Sequence, residues 1–300
     1  MATTMDETEI GLLRGTLRHM LQTHGPADVV AALLAEGWTD LVAAEPATAI
    51  TALAEEAGRL RSPAPVADLA ILWGAGIVAD ARTAVVIENI ALAGVERAER
   101  FVCIDDDGVR SIPAASATRR ATGGFDPALG LSRVTIDRSA ATSIGDAAAA
   151  ARAAAAGRLA LSSQMIGAVE QMLADTLAYV NERHQYGRAI GSFQTVKHRL
   201  AEVKVALAAA AAGIRAAWEV GDTTTAIAAK CLAGRAQQLA STNCFQVHGG
   251  IAFTVEHGFQ QWVRRGLLLD MLLGPHDQLV RELGARLIAD RAVPRVPALA

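Results

Sequence analysis

The stretch ERHQYGRAIGSFQ, residues 182–194, decides how this chain is read. Apolar residues at helical spacing run into it from about residue 157 and resume after it, from 192 to about 220. Between the two helices lie Arg183 and Arg188, a glycine break, and Ser192 placed to N-cap the second helix. Guanidinium groups beside a fresh helix N-terminus suit a diphosphate, because arginine offers paired donors and the helix end offers unpaired N–H groups. Arginines near a helix C-terminus also complement its dipole, so a plain capping loop stands beside the anion-binding reading on these residues alone.

A second stretch, CFQVHGGIAFTVEH at 244–257, ends another helical segment with Gly249-Gly250. Paired glycines permit positive φ and close backbone approach, to a ligand or to a neighbouring chain. His248 and His257 have the chemistry of a general base, yet no Ser or Cys nucleophile motif accompanies them, and both read as hydrogen-bonded structural histidines. Helical spacing also covers 223–247, 255–273 and a last segment to about 291. Helices of this number and length predict an antiparallel bundle.

Upstream, residues 6–61 carry helical spacing broken at Gly25-Pro26 and Gly37, Ser62-Pro63-Ala64-Pro65 interrupts it, and a short helical stretch covers 66–73. Between 83 and 137 the segments become short, β-branched and separated by Asp/Gly turns, which predicts a small sheet. Asp105-Asp106-Asp107-Gly108 reads as a hairpin turn, since it lacks the further ligand positions of a calcium loop. Gly74-Ala75-Gly76-Ile77-Val78-Ala79 has the GxGxxA spacing of a dinucleotide site but no clear strand before it, and reads as a helix end. The expected fold is mainly α: a shortened N-terminal helical domain at 1–80, a reduced β-domain at 81–140, a C-terminal antiparallel helical bundle at 141–293 and a tail at 294–300.

Composition narrows the function classes. With 300 residues, 52% of them hydrophobic, the chain can bury a sizeable core. A net charge of -3 with interleaved signs gives no basic footprint for nucleic acid. No apolar run reaches the roughly 18 residues of a membrane span, and MATTMDETEIGLL has neither the basic nor the apolar region of a signal peptide, so a cytoplasmic, non-membrane protein is expected. The cysteines Cys103, Cys231 and Cys244 show no CxxC spacing and read as buried thiols rather than disulfides or zinc ligands.

Taken together, RHQYGRAIGSFQTVKHRLAE and QVHGGIAFTVEH with Arg264-Arg265 resemble two segments of the acyl-CoA dehydrogenase superfamily: its R-x-x-F/Y-G-x-x-I/L-x-x-x-Q junction and its Q-x-x-G-G-x-G-F/Y segment. EGWTDLVAAEP and LAEEAGRLRSPAP resemble its N-terminal helices, and GFDPALGLSRVTID resembles the last strands of its β-domain. The resemblance implies an acyl-CoA dehydrogenase-like fold with FAD across a subunit interface. It assigns the FAD diphosphate to Arg183, Gln185, Tyr186, Phe193 and Gln194 on one side, with Gln246, Val247, His248, Gly249 and Gly250 on the other.

Departures from the family pattern carry as much information. The T-E-P-x-x-G-S-D segment that contacts flavin and substrate is missing, since ILWGAG passes straight to VADARTAVV. The glutamate that removes the proton α to the thioester usually precedes a glycine, and here Leu273 precedes Gly274; its alternative place falls near Gly157. Neither residue accepts a proton. Glu256 is the remaining acidic candidate, in a position where many family members have an acidic residue besides their base. A short subunit of this kind resembles one half of the actinobacterial heterotetrameric (α2β2) type. That implies a second acyl-CoA dehydrogenase-like subunit carrying the base, a bulky steroid-derived CoA thioester as substrate and an electron-transferring flavoprotein as electron acceptor. A non-catalytic structural subunit, and a self-sufficient homomer using Glu256, are the alternative expectations.

Overall fold

Thirty-six residues of uninterrupted helix form the axis on which the rest of the molecule packs. In the computed structural model, which describes residues 5–291, five helices precede it: α1 (Glu7–Thr23), α2 (Val29–Ala35), α3 (Trp38–Ala44), α4 (Pro46–Arg59) and α5 (Val66–Gly74). Asp6 opens α1 with a reciprocal cap: its carboxylate accepts from the Thr8 and Glu9 N–H groups, and the Glu9 carboxylate accepts from the Asp6 N–H. The expected breaks fall between helices, with Gly37 at φ 87 separating α2 from α3 and Ser62–Pro65 separating α4 from α5. The Gly74-Ala75-Gly76 motif closes α5: Gly76 N–H donates to Trp73 O and Ile77 N–H to Leu72 O, the paired bonds of a helix C-terminus.

The β-unit contains β1 (Thr83–Val86), β2 (Ile90–Ala91), β3 (Arg100–Asp105), β4 (Gly108–Pro113), β5 (Ala117–Ala121), β6 (Ser132–Ile136) and β7 (Thr142–Gly145). They form a sheet of order β1-β3-β4-β7 and a second of order β2-β6-β5; β1 runs parallel to β3 and the other pairs are antiparallel. Asp106 and Asp107 make the β3–β4 turn, and the carboxylates of Asp107 and of the flanking Asp105 both pair with Arg110. Strand β7 lies beyond the expected β-segments because its mostly exposed side chains give no alternating apolar signal.

The long axis is α6 (Ala147–Glu182), N-capped by the Asp146 carboxylate on Ala149 N–H. It begins ten residues before the expected start near 157, so the alanine-rich run is its first turns rather than a lead-in. A hairpin of β8 (His184–Gln185) and β9 (Arg188–Ala189) follows, then α7 (Gln194–Val220), α8 (Thr223–His248), α9 (Gln260–Met271) and α10 (His276–Asp290). The single helix expected over 255–273 is shorter: a 3-10 turn at Gly249–Phe253 and Gly258 at φ 71 hold the chain out of helix until Gln260. The expected tail at 294–300 lies outside the described residues. Among the described residues no helix is long and apolar enough to cross a membrane.

One continuous core joins Ile71 and Leu72 of α5, Val85 and Val102 of the sheet, and Leu161, Met165, Val169 and Met172 of α6 to the inner faces of α7, α8 and α9. Arg265, 2% exposed, ties the parts together. Its Nε donates to Asp126 Oδ2 of the β-unit (2.5 Å), and its Nη1 to Arg61 O (2.7 Å) and Ser62 O (3.1 Å) beyond α4. A buried guanidinium is tolerated only when so fully paired.

Candidate functional site

Arg183 ends α6 in an extended conformation, its N–H donating to Tyr179 O and its O accepting from Ile190 N–H. The chain then reverses through Tyr186 and Gly187, both at positive φ (52 and 77), the geometry of a two-residue hairpin turn. The hairpin folds back on Phe193: the Arg188 guanidinium lies 4.1 Å from that ring's centroid and Tyr186 meets it edge-on at 6.3 Å. Arg183, Gln185, Tyr186 and Gln194 are exposed, and none of their side chains has a hydrogen-bond partner among the described residues. Ser192 does not cap α7 as expected. A 3-10 turn over Ile190–Ser192 puts Phe193 at the cap, and the Ser192 hydroxyl donates back to Ala189 O (2.7 Å), so no side chain covers the first amides of α7.

At the end of α8, Gln246 is exposed, Val247 half-buried and His248 buried. Gly249 takes φ 69 with ψ -148, a region only glycine occupies readily, and at both Gly249 and Gly250 an added Cβ would meet nothing of this chain. Space for a side chain is thus kept open on the outer surface there. Ile251, Phe253 and Val255, all exposed, follow directly.

One turn before Arg183, Tyr179 packs against His248 of the second stretch. Their rings stack at 4.4 Å, and Tyr179 Oη donates to His248 O (3.5 Å). Phe259 (4.3 Å) and His257 (4.8 Å) complete the cluster. Thr176 Oγ1 lies 2.6 Å from Met172 O and 3.1 Å from His248 Nε2. The single hydroxyl proton goes to Met172 O, so His248 Nε2 is the donor and Nδ1 carries the lone pair. Burial, reinforced by His257, pushes His248 down to about 4. A neutral, buried imidazole of this kind agrees with its structural reading, and it leaves His248 only its backbone to offer a ligand. Sequence reasoning missed Tyr179, Thr176 and Phe259; Tyr179, one turn before Arg183, was the one with a positional signal.

The two base positions converge at the other end of α6. A Cβ on Gly157 would lie 2.6 Å from both Ile71 Cγ1 and Leu273 Cδ1. Leu273 is buried at φ 57, its carbonyl accepting from Arg158 Nε (3.1 Å). The turn it occupies is clamped by Lys230, whose buried Nζ donates to Asp270 O (2.7 Å), Gly274 O (3.3 Å) and Asp270 Oδ1 (3.4 Å), while Asp270 Oδ2 pairs with His276 Nδ1 (2.7 Å). Burial holds the Lys230 ammonium down at about 8, partly offset by Asp270. The spot itself is apolar. Glu256 sits exposed on the loop after the glycine pair. Cys231 and Cys244 are buried and Cys103 half-buried, all as free thiols that burial pushes up to about 11.

Residues 146–288 match the family described as acyl-CoA dehydrogenase, C-terminal domain. Acyl-CoA dehydrogenase IpdE2 of Mycolicibacterium smegmatis is 38% identical over 146 residues, 49% of this chain and 46% of that protein. The matched part thus spans about half the length, or less, of the first curated relatives. Among solved structures, the Tcur3481-Tcur3483 steroid ACAD superposes over 95% of this chain and 99% of its own with a TM-score of 0.74 at 20% identity. The ChsE4-ChsE5 complex from Mycobacterium tuberculosis does so over 97% and 99% with a TM-score of 0.77 at 16% identity. The bundle is thus matched in sequence by the acyl-CoA dehydrogenase C-terminal domain, and nearly the whole chain is matched in fold by these solved structures.

Proposed function

We propose that this chain is one subunit of a flavin-dependent acyl-CoA dehydrogenase, gripping the diphosphate of FAD while a second acyl-CoA dehydrogenase-like subunit supplies the catalytic glutamate. The observation that carries the proposal is the meeting of Gly157 and Leu273 with Ile71: both family positions for the base fall on one spot, and that spot is hydrocarbon. Removing a proton α to a thioester needs a carboxylate within hydrogen-bond reach, and leucine has none to give.

The residues that would hold FAD fit the group. Arg183 presents a guanidinium without a partner among the described residues, in the hairpin that leads to the uncovered amides at the start of α7, the donor types for a diphosphate. Gln185, Tyr186, Gln194 and Gln246 present free polar ends near it in sequence, Phe193 anchors the hairpin, and the backbone from Val247 to Gly250 leaves room for close approach. FAD, when bound, supplies the hydride acceptor for α,β-desaturation. This chain's own part is to bind and orient, through fixed charge and open backbone, and to keep water from the interface through Ile251, Phe253 and Val255. One solved neighbour is named a steroid ACAD and another a complex of two chains, which supports a steroid-derived substrate and a second chain type; a bulky CoA thioester, a heterotetramer, a cytoplasmic location and an electron-transferring flavoprotein as acceptor are parts of the same proposal.

The test is co-purification with the second subunit, followed by flavin absorbance, subunit stoichiometry and dye-linked turnover. The complex is expected to be yellow and active and this chain alone inactive. Arg183→Ala should strip flavin from the complex without dissociating it. Unchanged flavin content would instead assign the chain a scaffolding role, and turnover by this chain alone would sink the division of labour.

A further inference from the structure

Strand β5 closes one side of the three-stranded sheet, whose order is β2-β6-β5; among the described residues it pairs with β6 alone, and Thr118, Arg119, Arg120 and Ala121 are all exposed. Thr122 N–H donates to Leu131 O and Asp137 N–H to Ser116 O, which turns the even-numbered residues of β5 toward β6 and leaves the Arg119 and Ala121 amides facing the open side. Ala117, whose N–H returns to Ala114 O, is already served. An edge of this kind is a ready template for another strand.

The side chains along this edge give it a sign. Arg119 is turned inward: its Nη1 donates to Val95 O (2.8 Å) and Glu96 O (3.2 Å), and its register partner Val134 is buried. By alternation the outer face carries Thr118 opposite Thr135 and Arg120 opposite Arg133. Like charges directly opposite destabilise a sheet, and neither Arg120 nor Arg133 has an acidic partner among the described residues. Asp137, just beyond β6, is engaged by Ser139, its Oδ1 accepting from the N–H (2.9 Å) and the hydroxyl (2.7 Å), and Glu88 sits in the β1–β2 turn, across β6 from the open edge. Four residues past β5, Phe125 is exposed, with the Arg264 guanidinium 5.4 Å from its ring centroid. A second copy cannot answer these charges with the same edge, because β5 reads ATRRA, and in the chain's own acidic turn Asp105 and Asp107 are already paired with Arg110. The complement is an acidic strand from another protein.

We propose that β5 is a docking edge for an extended acidic segment of a partner protein, which adds a strand beside β5 and lays its carboxylates over Arg120 and Arg133. The edge stands independently of the flavin reading. Fluorescence anisotropy of a labelled peptide of alternating glutamate and valine, about eight residues long, titrated with the full chain, tests it. The peptide is expected to bind saturably and more weakly as salt rises, and its lysine–valine counterpart not to bind. Arg120→Gln and Arg133→Gln should each weaken binding about threefold and the double variant about tenfold, with circular dichroism confirming that each folds. An added strand offers β5 only one of its edges, so of two further peptides, one N-methylated at every valine and one at every glutamate, one should lose binding and the other keep it. Absence of saturable binding to the parent chain overturns the proposal, as does equal binding of the lysine peptide, undiminished binding to the folded double variant, or binding of both methylated peptides at the parent affinity. Self-association of the parent chain that the double variant abolishes would give the edge to a second copy and overturn it too.

Discussion

Gly157 and Leu273 are separated by 116 positions yet touch: a single methyl on Gly157 would come within 2.6 Å of Leu273 Cδ1. Gly157→Ala should therefore overpack the α5–α6–α9 junction and cost about 1–3 kcal/mol in urea unfolding. In a Leu273→Ala background the same substitution should cost less by at least about 0.5 kcal/mol, because the pair shares one space. Strict additivity in this double-mutant cycle would show that the two positions do not share it, and would weaken the case that the base has been lost from a common site.

Arg265 should be among the most sensitive residues in the chain. Arg265→Met leaves the Asp126 carboxylate buried without its guanidinium and the Arg61 and Ser62 carbonyls without a donor. Breaking a buried pair from one side costs about 3–5 kcal/mol, and a matched apolar replacement of both partners recovers much of it. Denaturant unfolding of Arg265→Met, Asp126→Leu and the double variant checks this. A double variant less stable than Arg265→Met would contradict it.

What the sequence disclosed and what it hid divide along physical lines. The break between α6 and α7 was legible because its glycine and flanking arginines are local signals, though not that it is a hairpin, and the breaks at Gly37 and Ser62–Pro65 were legible for the same reason. The first ten residues of α6 were not, since a run of alanine has high helix propensity but no apolar face to count. Strand β7 was hidden because its side chains face solvent, and the Ser192 cap failed through an intervening 3-10 turn that no residue pattern announces. Arg265 read as one half of an Arg-Arg pair; its partners lie 139 and more positions away, which only the fold can supply. The contact between Gly157 and Leu273 is hidden in the same way, although each residue was singled out alone.

Asp68 should make stability depend on pH. It lies on α5 with one carboxylate oxygen accepting from Val85 N–H (3.0 Å) and the other without a partner among the described residues, and burial pushes its carboxyl up to about 7. The unfolded chain releases this proton near 4, so between about 4 and 7 the folded state holds more protons and stability falls as pH rises. The loss should be complete above about 7 and reach at most roughly 4 kcal/mol. In Asp68→Asn this part of the slope should vanish; a parent and variant with parallel stability profiles from pH 4 to 8 would count against it.

His248 should stay neutral throughout the same range, with its proton on Nε2. Thr176 has one hydroxyl proton, committed to Met172 O, and can serve His248 only as an acceptor. Burial and the adjacent His257 oppose a second proton on the ring, which pushes the imidazole down to about 4. In nitrogen-15 NMR its two ring nitrogens should therefore differ widely and stay constant from pH 5 to 8. Unfolded histidine takes up a proton near 6.5, so this residue should add to stability above that pH and lose its contribution as pH falls toward 4. Thr176→Val removes the acceptor, leaves the Nε2 proton buried and unpaired, and should cost about 1–3 kcal/mol. A His248 signal that titrates with a midpoint near 6.5 would mean that the stack opens to solvent, and the backbone at Gly249-Gly250 would then lack the rigid support on which the proposed diphosphate site depends.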